Sequence, residues 1–282
     1  MNTIFQLSRY ARQALQDFYS EHEIQCICRT IYMDVFHLTN IDIHLRKNEH
    51  LDESFINKFY AIIKRLQSGE PLQYIIGGTE FCGLWFKTNP SVLIPRPETA
   101  ELVCWASREL HPGMRVLDIG TGSGCIAVSL AKACPQAKVE GIDISAEAVA
   151  TAQGNALAHG VDIAFSLRDI RKHKDYPWES YHLIISNPPY VRESEQAGME
   201  RNVLEHEPRQ ALFVPDDDPL VFYRTIGAFG QEHLQPGGLL FFEINEALGK
   251  ETVSLLEGQG YRQVELRQDI HGKDRMVKAG KP

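Results

Sequence analysis

The residues best suited to chemistry are Asn187-Pro188-Pro189-Tyr190, directly after the apolar run Leu183-Ile184-Ile185-Ser186. The run reads as a buried strand, and the carboxyl end of such a strand is where open α/β sheets bind ligands. Two consecutive prolines fix φ and supply no N–H, so the turn is rigid and its carbonyls are available to a ligand. The Asn187 side-chain oxygen can accept one N–H of a planar amino group, and the Pro188 carbonyl can accept the other. Tyr190 offers a π face to a group with cationic character. Such a turn suits alkylation of a nitrogen whose lone pair is delocalised, where orientation of that lone pair is the main difficulty. No strong base is required, because the nitrogen can lose its proton after it has become positive.

A second motif lies upstream. Asp118-Ile119-Gly120-Thr121-Gly122-Ser123-Gly124 follows a predicted strand and opens a predicted helix. Glycines there allow a tight turn and close approach of a ligand. Asp143 lies 19 residues beyond Gly124, at the end of the next strand, where an acid can accept hydrogen bonds from ribose hydroxyls. Together these point to an adenosine-containing cofactor. The dinucleotide pattern requires a third glycine at the sixth position, which is Cys125 here, and a helix N-terminus open to pyrophosphate. S-adenosylmethionine has no phosphate and carries an ammonium group, and Asp118 suits that cation. The two motifs in this order imply methyl transfer to an amino nitrogen.

The elements that must position these motifs alternate from about residue 97 onward. Short apolar strands are predicted at 115–119, 138–142, 163–165, 183–186 and 239–244. Helices are predicted from Pro97 to Leu110, at 125–133, 146–159, 219–234 and 247–258. Two strands near 262–267 and 275–278 close the chain, and 190–217 reads as a long irregular stretch. This alternation predicts a mostly parallel sheet covered on both faces, with an antiparallel edge. Residues 72–94 read as short strands, Tyr74-Ile75-Ile76 among them, around a glycine turn. The first seventy residues read as helices with three apolar stripes. One holds Ile4, Leu7, Ala11, Leu15 and Phe18. The next holds Ile24, Ile27, Ile31, Val35 and Leu38. The third runs from Leu51 to Leu66, with Asp52 as N-cap and Gly69 and Pro71 as the stop. This bundle carries no chemistry of its own, and it reads as a docking domain or a stabilising appendage.

Composition excludes several classes. Apolar residues make up 43% and charged residues 23% of 282, as in ordinary globular chains rather than disordered ones. The formal net charge of −8 argues against holding nucleic acid by bulk electrostatics. No apolar run reaches the ~18 residues of a membrane helix, and the N-terminus is too charged for a secretory signal. The six cysteines form no CxxC pair, and Cys26 with Cys28 lack the second pair of a tetrahedral metal site. No metal is expected, and free thiols fit a cytoplasmic location. His206 and His271 read as surface or packing residues.

Asp118-x-Gly-x-Gly-x-Gly followed by Asn187-Pro188-Pro189-Tyr190 resembles the class I S-adenosylmethionine-dependent amino-methyltransferases. Gly69 through Gly77, Glu80-Phe81, Leu93-Ile94-Pro95-Arg96-Pro97-Glu98-Thr99 and Glu207-Pro208-Arg209-x-Ala211-Leu212 narrow the resemblance to the PrmC/HemK family, over residues 1–278. The resemblance implies a helical substrate-docking domain over 1–70, a β-hairpin linker over 71–95 and a Rossmann-like seven-stranded methyltransferase domain over 96–282. It implies methylation of N5 of the glutamine in the Gly-Gly-Gln motif of class 1 peptide chain release factors. By the same resemblance, Gly120, Thr121, Gly122, Ser123 and Gly124 line the methionine part of the cofactor and Asp143 holds the ribose. Asn187, Pro188, Pro189 and Tyr190 hold the substrate glutamine, with Asn187 bordering the cofactor as well. Ile170 stands where many relatives carry an aromatic ring beside the adenine, and Ala100 where many carry an acid. Stable binding to nucleic acid or membrane is not expected. Two alternatives remain open: an amino-methyltransferase acting on adenine or guanine, whose exocyclic amines pose the same orientation problem, and a cofactor-binding protein without catalysis.

Overall fold

The computed structural model describes residues 2–282. It divides into two compact units, one of residues up to Gly78 with Glu200–His206, the other of Thr79–Met199 and Glu207–Pro282.

The first unit is helical. Helix α1 (Ile4–Leu15) starts at Thr3, whose hydroxyl accepts the Gln6 amide, and it buries Ile4, Leu7, Ala11 and Leu15. Phe18 lies beyond its end and is exposed, so the first stripe stops at Leu15. Helix α2 (Glu21–Thr30) starts with a reciprocal Ser20–Glu23 capping box and runs into a π-helical turn, Ile31–Val35. Helix α3 (Asn40–Leu45) is a short surface piece. Helix α4 (Glu53–Gln67) is capped by Asp52, which accepts the Phe55 amide at 2.8 Å, and it buries Phe59, Ile62, Ile63 and Leu66. Tyr74-Ile75-Ile76, expected as a strand, instead lies in helix α5 (Leu72–Ile76). Pro71 opens it, left-handed Gly77 ends it, and Leu72 and Ile75 pack on the helical core. Tertiary packing here overrides the β preference of isoleucine.

Strands β1 (Gly78–Phe81) and β2 (Leu84–Lys87) form a hairpin, and the second unit begins within β1, at Thr79. Cys82 and Gly83 both have positive φ, the requirement of a tight hairpin turn. Helix α6 (Pro97–Ser107) has Pro97 in its first turn, as expected, but ends three residues before Leu110. The central strands are β3 (Arg115–Ile119), β4 (Lys138–Asp143), β5 (Ala164–Leu167) and β6 (Tyr181–Ser186). Between them lie α7 (Cys125–Ala133) and α8 (Ala146–Ala158). The stretch 190–217 is not wholly irregular. Strand β7 (Val191–Arg192) pairs in parallel with β8 (Phe213–Val214), and α9 (Arg201–His206) lies between them in sequence. Helix α10 (Val221–His233), β9 (Leu234–Glu243), α11 (Gly249–Gly258), β10 (Arg262–Gln268) and β11 (Asp274–Gly280) complete the chain.

The seven-stranded sheet has the order β10-β11-β9-β6-β3-β4-β5. Strands β9, β6, β3, β4 and β5 are parallel, and β11 runs antiparallel to both its neighbours, as the sequence pattern implies. Side chains alternate between the two faces. Val116, Leu183, Ile185 and Phe241 pack with residues of α6 and α7. Leu117, Ile119, Ile184, Leu240 and Phe242 pack with residues of α10 and α11. Both faces are therefore covered, and the carboxyl ends of β3, β4 and β6 are left to form a site.

Candidate active site

The glycine loop follows β3. Gly120, Gly122 and Gly124 have φ of +74°, +54° and +79°, a backbone path that side chains with a Cβ rarely take. The loop is folded on its own hydrogen bonds. The amides of Gly120 and Thr121 both donate to the Ile142 carbonyl at 2.9 Å, and Gly122 donates to Asp143 Oδ2 at 2.9 Å. Buried Asn155 of α8 donates to the Ser123 carbonyl at 2.8 Å and exchanges two hydrogen bonds with the Lys87 backbone. Hairpin, loop and α8 are thus held by one carboxamide.

A cavity of about 380 Å³ opens above the loop. Gly120, Thr121, Gly122, Ser123, Asp143, Ile170, Asn187, Pro188 and Pro189 line it, so most of the predicted site residues come together. Gly124 does not line it. A Cβ there would stand 3.0 Å from Ala152 Cβ, so this glycine serves the close approach of α7 and α8. Asp118 does not line it either. The residue is fully buried, its Oδ2 accepts the Thr121 hydroxyl at 2.6 Å, and burial pushes its carboxyl up to about 7. The expected contact of Asp118 with a bound cation is therefore replaced by a support for the loop from beneath.

Asp143 is fixed by two backbone donors, Gly122 on Oδ2 and Ser145 on Oδ1, both at 2.9 Å. Each carboxylate oxygen keeps a second lone pair, so the group can still accept a pair of ligand hydroxyls. Burial raises its pKa, which these amides oppose. Beside it, Ile142, Ile144 and Ile170 form an apolar wall.

At the end of β6, the Asn187 amide donates to Thr99 Oγ1 at 3.1 Å, and Thr99 donates to Glu243 Oε2 at 2.6 Å. Tyr190 is outside the cavity lining, and its hydroxyl donates to Glu243 Oε1 at 2.9 Å. Burial and the Glu243 charge hold this phenol well above its ordinary pKa, so it remains a donor. Glu207 from the Glu-Pro-Arg segment is buried and accepts from the Ile94 amide at 3.2 Å and from Arg96. It fastens Ile94-Pro95-Arg96, which line the cavity. Thr99, Glu207 and Glu243 were not recognised from the sequence as parts of the site. Thr99 and Glu207 fall in segments that carry the family resemblance, which was the available signal, whereas Glu243 shows only as an acid ending the apolar run Leu239-Leu240-Phe241-Phe242. His206 and His271 do not line the cavity, and the six cysteines are unpaired. Among the described residues, no helix is long and apolar enough to cross a membrane.

Comparison with known proteins agrees with this architecture. The family model for a methyltransferase small domain matches residues 103–212, and that for a PrmC N-terminal domain matches residues 6–77. The release factor glutamine methyltransferase of Bacteroides thetaiotaomicron is 46% identical over 275 residues, covering 98% of this chain and 99% of its own. That of Flavobacterium psychrophilum is 45% identical over 272 residues, covering 94% and 95%. Among solved structures, a methyltransferase from Pyrococcus furiosus superposes with a TM-score of 0.53 at 19% identity, over 71% of this chain and 90% of that one. A Thermus thermophilus 16S rRNA N2 G1207 methyltransferase, solved with AdoMet and guanosine, gives 0.54 at 18% identity, over 73% and 50%. These two likenesses establish the fold. The near-full-length identity to curated relatives goes further, and the chain belongs to the release factor glutamine methyltransferase family.

Proposed function

We propose that the chain transfers a methyl group from S-adenosylmethionine to N5 of the glutamine in the Gly-Gly-Gln motif of class 1 peptide chain release factors, in the cytoplasm. The observation that carries this reading is one cavity lined both by the glycine loop with Asp143 and by Asn187-Pro188-Pro189. Its residues fit the cofactor. Three loop amides are already donated within the protein, which disfavours a pyrophosphate and suits a ligand without phosphate at that point. Asp143 would accept the ribose hydroxyls, and Ile142 and Ile170 would flank the adenine. Isoleucine covers a ring by apolar contact alone, without stacking. The cofactor, when bound, supplies a methyl group on a positively charged sulfur.

The protein's own contribution is positional. An amide nitrogen is a poor nucleophile because its lone pair is delocalised, so fixing its direction is the main gain. Asn187 Oδ1 and the Pro188 carbonyl would accept the two N–H bonds of the glutamine side chain. Proline at 189 removes a competing donor beside them. No side chain is required as a base, since the amide proton leaves after the nitrogen has acquired positive charge.

Glutamine offers few atoms, so the turn recognises an amide but cannot select one glutamine on a protein surface. We assign that selection to the helical unit. It carries exposed apolar side chains at Phe5, Phe18, Ile41 and Leu45, as a docking surface would. The test is incubation with methyl-labelled S-adenosylmethionine and either release factor or nucleic acid. Label is expected in release factor and absent after its motif glutamine is replaced. Label in adenine or guanine instead would overturn the reading.

A further inference from the structure

The side-chain oxygen and nitrogen of asparagine have nearly the same shape, so packing alone does not decide which faces a ligand. Hydrogen-bond donor counting does. Glu243 is buried at the end of β9, and its two oxygens accept from different residues, Oε1 from Tyr190 and Oε2 from Thr99. Thr99, also buried, has one hydroxyl proton, and that proton is spent on Glu243 at 2.6 Å. Toward Asn187 the hydroxyl can only accept. Asn187 must therefore present its NH2 group to Thr99, as it does at 3.1 Å, and Oδ1 becomes the atom left for the cavity.

We propose that Thr99 and Glu243 are positioning residues that fix the orientation of the Asn187 amide, so that an acceptor and not a donor meets the substrate nitrogen. The proposal rests on the reading of Asn187 as the holder of the substrate amide. The consequence of a flipped amide is direct, since the Asn187 NH2 would then face the substrate NH2 and neither could accept. The same carboxylate fixes both ends of the turn, Tyr190 directly and Asn187 through Thr99. Three separate elements meet at this point: the first turn of α6, the end of β6 and the end of β9. The link acts on a rigid turn, so removing the Thr99 acceptor turns the Asn187 NH2 toward the cavity in most of the population without moving the backbone.

Thr99→Val keeps the shape of the side chain and removes the hydroxyl. In the full-length chain it is expected to lower kcat on release factor about tenfold or more, with affinity for S-adenosylhomocysteine unchanged. Thr99→Ser, which restores the hydroxyl, is expected to recover most of that loss. An unchanged kcat in Thr99→Val, an equal loss in Thr99→Ser, or a parallel loss of S-adenosylhomocysteine affinity would each overturn the positioning role. Should Thr99→Val fold poorly, the wild-type chain supplies the readout. The 15N side-chain amide pair of Asn187, identified by its loss in Asn187→Asp, is expected to exchange slowly with solvent because it donates to a buried hydroxyl. Fast exchange would overturn the proposal. Wild-type chain that leaves release factor unmethylated overturns the functional reading instead, so the two failures are distinct.

Discussion

Asp143 Oδ2 accepts the amide of Gly122 at 2.9 Å, so the acid at the end of β4 and the glycine loop after β3 form one rigid unit. The carboxylate thus has two roles, shaping the loop and receiving ligand hydroxyls. Asp143→Ala is expected to weaken S-adenosylhomocysteine binding by about 1.5–3 kcal/mol, the usual worth of hydrogen bonds to a charged group. Calorimetric titration reads this directly, and an unchanged dissociation constant would remove Asp143 from the binding site.

Asn187→Ala separates holding the substrate from holding the cofactor. Asn187 lines the cavity from the end of β6. Loss of one positioning hydrogen bond at the reacting group is expected to lower the methylation rate roughly 100-fold or more. S-adenosylhomocysteine should still bind with nearly wild-type affinity. Turnover close to normal in this variant would refute the assignment of Asn187.

The buried acid under the loop makes a pH prediction. Burial pushes the Asp118 carboxyl up to about 7, whereas in the unfolded chain it titrates near its ordinary value of 3.8. Between those values the folded state binds the proton more tightly. The contribution of this group to stability is therefore full below about pH 4, falls as pH rises and is lost above about pH 7. The loss is on the order of 1.4 kcal/mol per pH unit within that window. Asp118→Asn cannot ionise, so its melting temperature relative to wild type should rise between pH 4.5 and 7.5. A constant difference across that range would mean that Asp118 does not hold the proton.

The same residue illustrates what the sequence could and could not convey. The parallel sheet was legible because β3, β4 and β6 are short apolar runs separated by helical periods. The cavity lining was legible because ligands gather at strand carboxyl ends, where both motifs fall. The direction of Asp118 was misjudged, although alternation along β3 puts it on the face of Val116, which packs with α7, and away from Leu117 and Ile119. Glu243 was out of reach for a different reason. Its partner Thr99 lies 144 positions away, and only the assembled sheet with its covering helices brings β9 beside the start of α6. Tyr74-Ile75-Ile76 misled because β-branched residues were read for their own preference, when Pro71 and Gly77 set the boundaries of a helical turn packed on α4.

The last prediction concerns how one glutamine is chosen. On the helical unit, Phe5, Ile41 and Leu45 are 59%, 69% and 73% exposed. The Phe5 amide donates to the Lys47 carbonyl at 2.9 Å, and Ile41 lies one turn before Leu45 in α3. Exposed large apolar side chains on this unit are the surface we propose for contact with the release factor. Docking there would raise the local concentration of the motif glutamine at the active site, a gain that needs no new contact with the glutamine itself. The double substitution Phe5→Ser with Leu45→Ser removes apolar surface without disturbing the buried stripe of Ile4, Leu7, Ala11 and Leu15. It is expected to raise KM for intact release factor several-fold or more. The rate on a short peptide bearing the Gly-Gly-Gln motif should not change, because such a peptide carries only the segment around the glutamine. S-adenosylhomocysteine affinity should also hold. If KM for intact release factor stays at the wild-type value, this face is not the docking surface.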